Sequence, residues 1–341
     1  TEIESFKNYP LDLGVPYMSG SSFQIERTYH GTHVAGIIAA TANNGVGITG
    51  IARGAAKIMA VRVTTHSTSN LVGYDTGSTS SLDNIANGIR WALEPNGKPD
   101  GRIADVINIS MGTGPIPKAS AFKSIDRVLR GAFDMAAAKN VLIAVAAGNS
   151  SVDLEQWYVQ PANIAHGYSN ALAVASYDPA AEVSSLSTFS NYGTETVEIA
   201  APGTDILSTI REDEDDPLRP SDPGNSLGYG LLSGTSMASP QVAGAMALAV
   251  AYFRTKGLSY TAAQIKDLIT STATPASGLM RNNVDLIKGH RLLNIKKLAE
   301  ALMVPSSGAP MGALAKRTIE KNLPGQEALE MAHKISYFDC P

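Results

Sequence analysis

Val141-Leu142-Ile143-Ala144-Val145-Ala146 runs without a polar side chain and ends on Ala147-Gly148-Asn149-Ser150. A strand with one wet face would alternate apolar and polar residues, so an unbroken apolar run closed by a Gly-Asn turn implies a strand covered on both faces. Upstream, Ile58-Met59-Ala60-Val61-Arg62-Val63 and Val106-Ile107-Asn108-Ile109-Ser110 are of the same kind, with helical patterns over 82–93 and about 119–139 between and after them. Downstream, short strands at Ala171–Ala175, Val197–Ala200 and Asp205–Ser208 continue the same sheet. Strands alternating with helices imply an α/β fold: a doubly wound, mostly parallel sheet with helices on both faces.

The chain has 341 residues, of which 44% are hydrophobic, enough for a sizeable core. Only 17% are charged and the net charge is −4, which provides no electrostatic footprint for nucleic acid. The one cysteine, Cys340, excludes an intrachain disulfide and a cysteine-based metal site or nucleophile in the core. No span fit to cross a bilayer is expected. Residues 1–29 read as an irregular connecting segment, 30–303 as the main domain and 304–341 as a tail rich at first in Pro, Gly and Ser. The acidic stretch 210–227, with Glu212-Asp213-Glu214-Asp215-Asp216, reads as a solvated insertion.

Chemistry enters at Gly234-Thr235-Ser236-Met237-Ala238-Ser239-Pro240, which opens a helix of small residues. A serine at a helix N-terminus stands beside free N–H groups and the positive end of the helix dipole, a setting that stabilises negative charge at its oxygen. Pro240 is taken as a first-turn proline, where its missing donor does no harm. A hydroxyl needs a base, and His30-Gly31-Thr32-His33-Val34-Ala35-Gly36 supplies two histidines on one helical face. His30 is assigned as the base and His33 as a core residue bonded to backbone. At the end of the apolar strand, Gly148 lets a substrate approach and the Asn149 amide can donate to an oxyanion.

These stretches, in this order, resemble the subtilisin-like serine peptidases, the subtilase family. The histidine motif is His30–Gly36, the serine motif Gly234–Pro240, and the oxyanion segment Ala147-Gly148-Asn149. Asp105-Val106-Ile107-Asn108-Ile109-Ser110-Met111-Gly112 is similar to the substrate-binding strand, and Ala200-Ala201-Pro202-Gly203 to another recurrent stretch. Sedolisins match less well, since their oxyanion donor is an aspartate where this chain has Asn149. A lipase elbow would place glycine at position 238, which is Ala238.

The resemblance implies an endopeptidase working through an acyl-enzyme, with Ser236 as nucleophile, His30 as general base and Asn149 as oxyanion donor. Substrate would pair as an added strand against Ser110, Met111 and Gly112, facing Ala147 and Gly148 across a small apolar pocket that favours an apolar residue before the scissile bond. Glu155 and Asp153 are the nearby residues that argue against that preference. The family's third catalytic residue is an aspartate on a strand some way before the histidine. Asp12, in Asp12-Leu13-Gly14, is the candidate within the chain, but Asn8-Tyr9-Pro10-Leu11 before it is no strand. The expectation is therefore an aspartate upstream of Thr1, carried on an N-terminal fragment of the same precursor that stays bound noncovalently. The competing reading is a pseudoenzyme that binds peptides or a partner without cutting them. By the same resemblance no cofactor is required, a structural calcium ion could use Asn43 and Asn44, and the protein would be secreted.

Overall fold

The computed structural model describes residues 30–68, 75–95, 101–118, 123–181, 185–210, 228–281 and 284–303. The 1–29 segment with Asp12, the acidic stretch from 211 to 227 and the tail from 304 lie outside the described residues.

In chain order the main elements are α1 (His30–Ala39), α2 (Leu82–Leu93), β1 (Val106–Ile109), α3 (Lys123–Ala138), β2 (Leu142–Ala146), β3 (Ala171–Asp178), β4 (Ile199–Pro202), β5 (Ile206–Thr209) and β6 (Tyr229–Leu232). They are followed by α4 (Thr235–Thr255), α5 (Ala262–Thr272), β7 (Thr274–Pro275), β8 (Arg291–Leu292) and α6 (Ile295–Met303). The central sheet has the order β7-β8-β4-β3-β2-β1. From β1 to β8 every pairing is parallel, and only the edge strand β7 and the short Ser185–Leu186 run antiparallel.

The strand period of two sorts the apolar run into two cores. Ile143, Val145 and Ala173 pack on one face against Ile85 and Ile89 of α2 and Leu129 and Phe133 of α3. Leu142, Ala144, Leu172 and Val174 pack on the other against Val242, Met246 and Phe253 of α4 and Ile265 of α5. Each large side chain so buried contributes about 1.5–3 kcal/mol of transfer free energy before entropy is charged. The faces explain the helices as well: α2 buries Ile85, Ala86, Ile89, Ala92 and Leu93, a stripe at helical spacing, behind its Ser81 N-cap. α5 starts on a complete capping box, with Thr261 and Gln264 each bonding the other's backbone.

Three sequence expectations are corrected. Residues 58–63 form no strand; Val61 and Val63 instead lie against Gly88 of α2, where side-chain packing takes the place of ladder hydrogen bonds. The Ser/Thr/Gly-rich stretch after them, which by composition reads as a loop through Ser81, holds a short antiparallel pair, Thr65–Thr68 with Asp75–Thr79. β5 does not continue the central sheet but pairs with β6 as a separate hairpin, Ile206 opposite Leu232 and Ser208 opposite Gly230. β5 is drawn off by α1, onto which its hydroxyls are bonded.

Candidate active site

β1 and β2 end side by side, and the segments that leave their carboxyl ends, Ser110–Gly112 and Ala147–Asn149, face the start of α4. Ser236 is the second residue of α4, behind the Gly234 N-cap. Its hydroxyl donates to the Ser110 carbonyl at 3.1 Å, and the Ser110 hydroxyl donates back to the Ser236 carbonyl at 2.8 Å. This exchange corrects the expectation for Pro240. The proline is the sixth helical residue rather than part of the first turn, and the N–H it lacks is the one that would have bonded the Ser236 carbonyl. Ser110 fills the place.

Asn149 is exposed, but its amide is not free to turn. Oδ1 accepts from the Thr235 N–H at 2.9 Å and from the Thr235 hydroxyl at 2.8 Å, which leaves Nδ2 as the outward donor. Nδ2 lies 3.2 Å from where a Cβ on Gly234 would stand, so the glycine gives the amide room. The Thr235 hydroxyl also accepts from Gly148 N–H at 3.1 Å. Gly148 has φ +101°, open to glycine, and a Cβ there would run into Asn191 Nδ2 at 2.5 Å. Asn191 is fully buried beneath this turn. It donates to Ala147 C=O at 2.8 Å, accepts from Ser150 and Val152 N–H at 3.0 and 3.1 Å, and sends its own N–H to Gly148 C=O at 2.9 Å.

Thr235 and Asn191 were missed as site residues. Thr235 sits inside the quoted motif with a signal no stronger than a helix-start threonine. Asn191, in Ser190-Asn191-Tyr192, looks like any turn asparagine until the fold brings it under Gly148.

His30 is the first residue of α1 and half-buried; burial holds its imidazole below the ordinary 6.5, in the neutral form a base requires. Among the described residues its ring has no carboxylate partner, and the Ser236 hydroxyl bonds Ser110 rather than His30. His33 is fully buried with Nε2 at 2.9 Å from Ile206 C=O and 3.0 Å from Gly230 C=O. It takes the structural place expected of it. The hairpin also holds α1 by its hydroxyls: Ser208 donates to His33 C=O at 2.7 Å and Thr209 to Thr32 C=O at 2.9 Å. Behind α1, Ile51 meets Gly244 of α4, so the histidine and serine helices are packed together.

The segments expected to receive substrate, Ser110–Gly112 and Ala147–Gly148, lie on either side of the start of α4. Gly112 is exposed, and a Cβ on it would come within 2.6 Å of the Gln160 carbonyl, which accepts from Thr113 N–H at 2.8 Å. Val159 packs under Gly148. Glu155 and Asp153 are engaged elsewhere. Burial pushes the Glu155 carboxyl up, but N–H bonds from Thr196 and Glu195 outweigh it and hold it below the usual value. Asp153 accepts from Glu155 N–H at 2.9 Å. The calcium candidates Asn43 and Asn44 lie in an exposed loop where Asn44 Oδ1 accepts from Val46 N–H at 3.0 Å. The loop offers amide and backbone oxygens but no carboxylate, and the described residues contain no cluster of three His, Cys, Asp or Glu able to hold a metal. A hard divalent cation takes such oxygens together with carboxylates, and this loop by itself supplies no carboxylate.

Residues 18–291 match the model of the subtilase family. The chain belongs to the subtilase family. It is 35% identical over 254 residues to the extracellular basic protease of Dichelobacter nodosus, covering 74% of this chain and 36% of that protein. To subtilisin of Bacillus pumilus it is 35% identical over 260 residues, covering 76% and 72%. A protease from Pseudoalteromonas arctica has a similar solved structure, with TM-score 0.58 and 28% identity over 81% of this chain and 71% of that one. The subtilase thus spans little more than a third of the extracellular basic protease. The family match begins after Asp12. No helix among the described residues of this subtilase is long and apolar enough to cross a membrane.

Proposed function

We propose that this subtilase is a serine endopeptidase. The observation that carries the reading is the start of α4: Ser236 stands in the first turn, at the positive end of the helix dipole, beside an asparagine whose Oδ1 is taken up by Thr235 so that Nδ2 is left to donate. In this mechanism Ser236 Oγ attacks the scissile carbonyl while His30 accepts its proton. Negative charge on the carbonyl oxygen is met by Asn149 Nδ2 and the Ser236 N–H. His30 then protonates the leaving amine, and water repeats the sequence to release the acid. The resting hydroxyl must leave the Ser110 carbonyl to reach His30. A substrate N–H pairing on Ser110–Gly112 takes that same carbonyl, so binding of the acyl segment frees the nucleophile. Val159 and Ala147 under the cleft favour an apolar residue before the scissile bond.

The carboxylate that orients His30 is supplied, on this reading, from upstream of Thr1 rather than by Asp12. With Asp12→Asn, peptidase activity should remain within about twofold of wild type; a loss of about ten-thousandfold, the size known for neutralising this aspartate in serine peptidases, would assign the role to Asp12 instead. Secretion is proposed from the names of the relatives, two of which are extracellular proteases. No resident metal is needed for the chemistry.

The pseudoenzyme reading is favoured only by the lack of a carboxylate on His30 among the described residues. A fluorophosphonate probe separates the two. Labelling that disappears in Ser236→Ala means an activated nucleophile, and an unlabelled wild type under conditions where subtilisin labels would overturn the peptidase reading.

A further inference from the structure

Pro240 creates an acceptor without a donor at Ser236, and a part-buried relay from the neighbouring strand satisfies it. Ser239 Oγ donates to Asn108 Oδ1 at 2.8 Å; Asn108 Nδ2 donates to Ser110 Oγ at 2.9 Å; Ser110 Oγ donates to the Ser236 carbonyl at 2.8 Å. Each hydroxyl uses its single proton once and every bond has one donor and one acceptor, so the directions are mutually consistent. Ser239 is fully buried and Ser110 nearly so. The relay leaves α4 at Ser239 and returns to it at Ser236, three residues earlier on the same helical face, after passing through β1 and the residue that follows it. The Ser236 hydroxyl closes the ring on Ser110 C=O.

We propose that Asn108, Ser110 and Ser239 are positioning residues for the nucleophile. They act through the Ser236 backbone: the network fixes the first turns of α4 against the end of β1, so that Oγ, the Ser236 N–H and the substrate-bearing strand end keep one spacing. An ordinary helix would have spent the Ser236 carbonyl on residue 240. Here the proline frees it, and the helix is tied across to the strand that receives the substrate instead. A displacement on the order of 1 Å at a nucleophile can cost about a hundredfold in rate, which is why such a tie would matter to turnover rather than only to stability.

This inference rests on the peptidase reading, and the test keeps the two apart. In the full protein, with any N-terminal fragment that accompanies it, Ser110→Ala, Asn108→Ala and Ser239→Ala are compared with wild type. The readouts are rate of fluorophosphonate labelling per folded molecule, kcat and KM on a peptide amide, and Tm. Expected is a loss of about 10- to 100-fold in both labelling rate and kcat, with KM within about twofold, because the probe and the substrate share the nucleophile but not the strand contacts. The double variant Ser110→Ala/Ser239→Ala should be no slower than Ser110→Ala alone, since both changes cut one relay. If one variant does not fold, the other two carry the comparison. A wild type that labels, with variants that label and turn over equally fast while only Tm falls, overturns the proposal and leaves the peptidase reading intact. A wild type that does not label overturns both.

Discussion

Thr235 carries more than its place in the motif suggests. One hydroxyl accepts from Gly148 and donates to Asn149, so it sets both the turn and the orientation of the amide. Thr235→Val keeps the shape and removes the hydroxyl. It should lower kcat about tenfold with little change in KM, and Thr235→Ser should restore it, as seen in steady-state kinetics on a peptide amide; unchanged kcat in the valine variant would contradict this role. Asn149→Leu removes the donor itself. The expected loss, if the amide meets the developing oxyanion as proposed, is about a hundred- to a thousandfold in kcat, the size of one oxyanion donor. A loss shared between kcat and KM would instead mean that the amide binds ground-state substrate.

At the scale of elements, the histidine is placed by a hairpin that the sequence does not connect to it. Gly36 lets α1 lie directly on the Ser208 and Thr209 hydroxyls. A Cβ there would meet both, so Gly36→Ala should destabilise the fold by about 1–3 kcal/mol, measured by urea unfolding, because neither hydroxyl can move without releasing its bond to Thr32 or His33. A neutral result would mean that the hairpin yields easily. His33 gives the same contact a pH dependence. Burial holds its pKa below 6.5, with the Gly230 and Ile206 carbonyls partly opposing the shift. As pH falls, the unfolded chain takes up this proton first. The stability this residue confers is therefore complete above about pH 6.5 and is lost as pH drops toward the folded value. The urea midpoint should fall between pH 7 and 5, and the fall should shrink in His33→Asn; equal slopes would remove His33 as a cause.

For the whole molecule, the two cores on either side of the sheet hold the helices whose ends meet at the site. Chelator should leave Tm unchanged to within about 1 °C. A larger fall would show a stabilising ion bound to the native state, with carboxylate ligands added to the amide oxygens at Asn43 and Asn44.

The parts legible in the sequence were those written in local pattern. Continuous apolar runs announced strands covered on both faces, and the ordered motifs around His30, Asn149 and Ser236 announced the family. Local pattern failed where packing overrode it. Residues 58–63 have strand composition but are taken up against Gly88, and β5 reads as one more sheet strand but is claimed by α1. Pro240 looked like a harmless first-turn residue.

What the sequence by itself determined is the α/β class, the two-faced burial of the central strands and the family, since each depends on residue type and spacing alone. Only the tertiary structure decided how Ser236 is held. The Ser110 hydroxyl on the Ser236 carbonyl, the Thr235 grip on Asn149, Asn191 under Gly148 and the hairpin on His33 all join residues that chain order leaves far apart. Hydrogen bonds of that kind have no sequence period, because their geometry exists only once the sheet has brought the strand ends together.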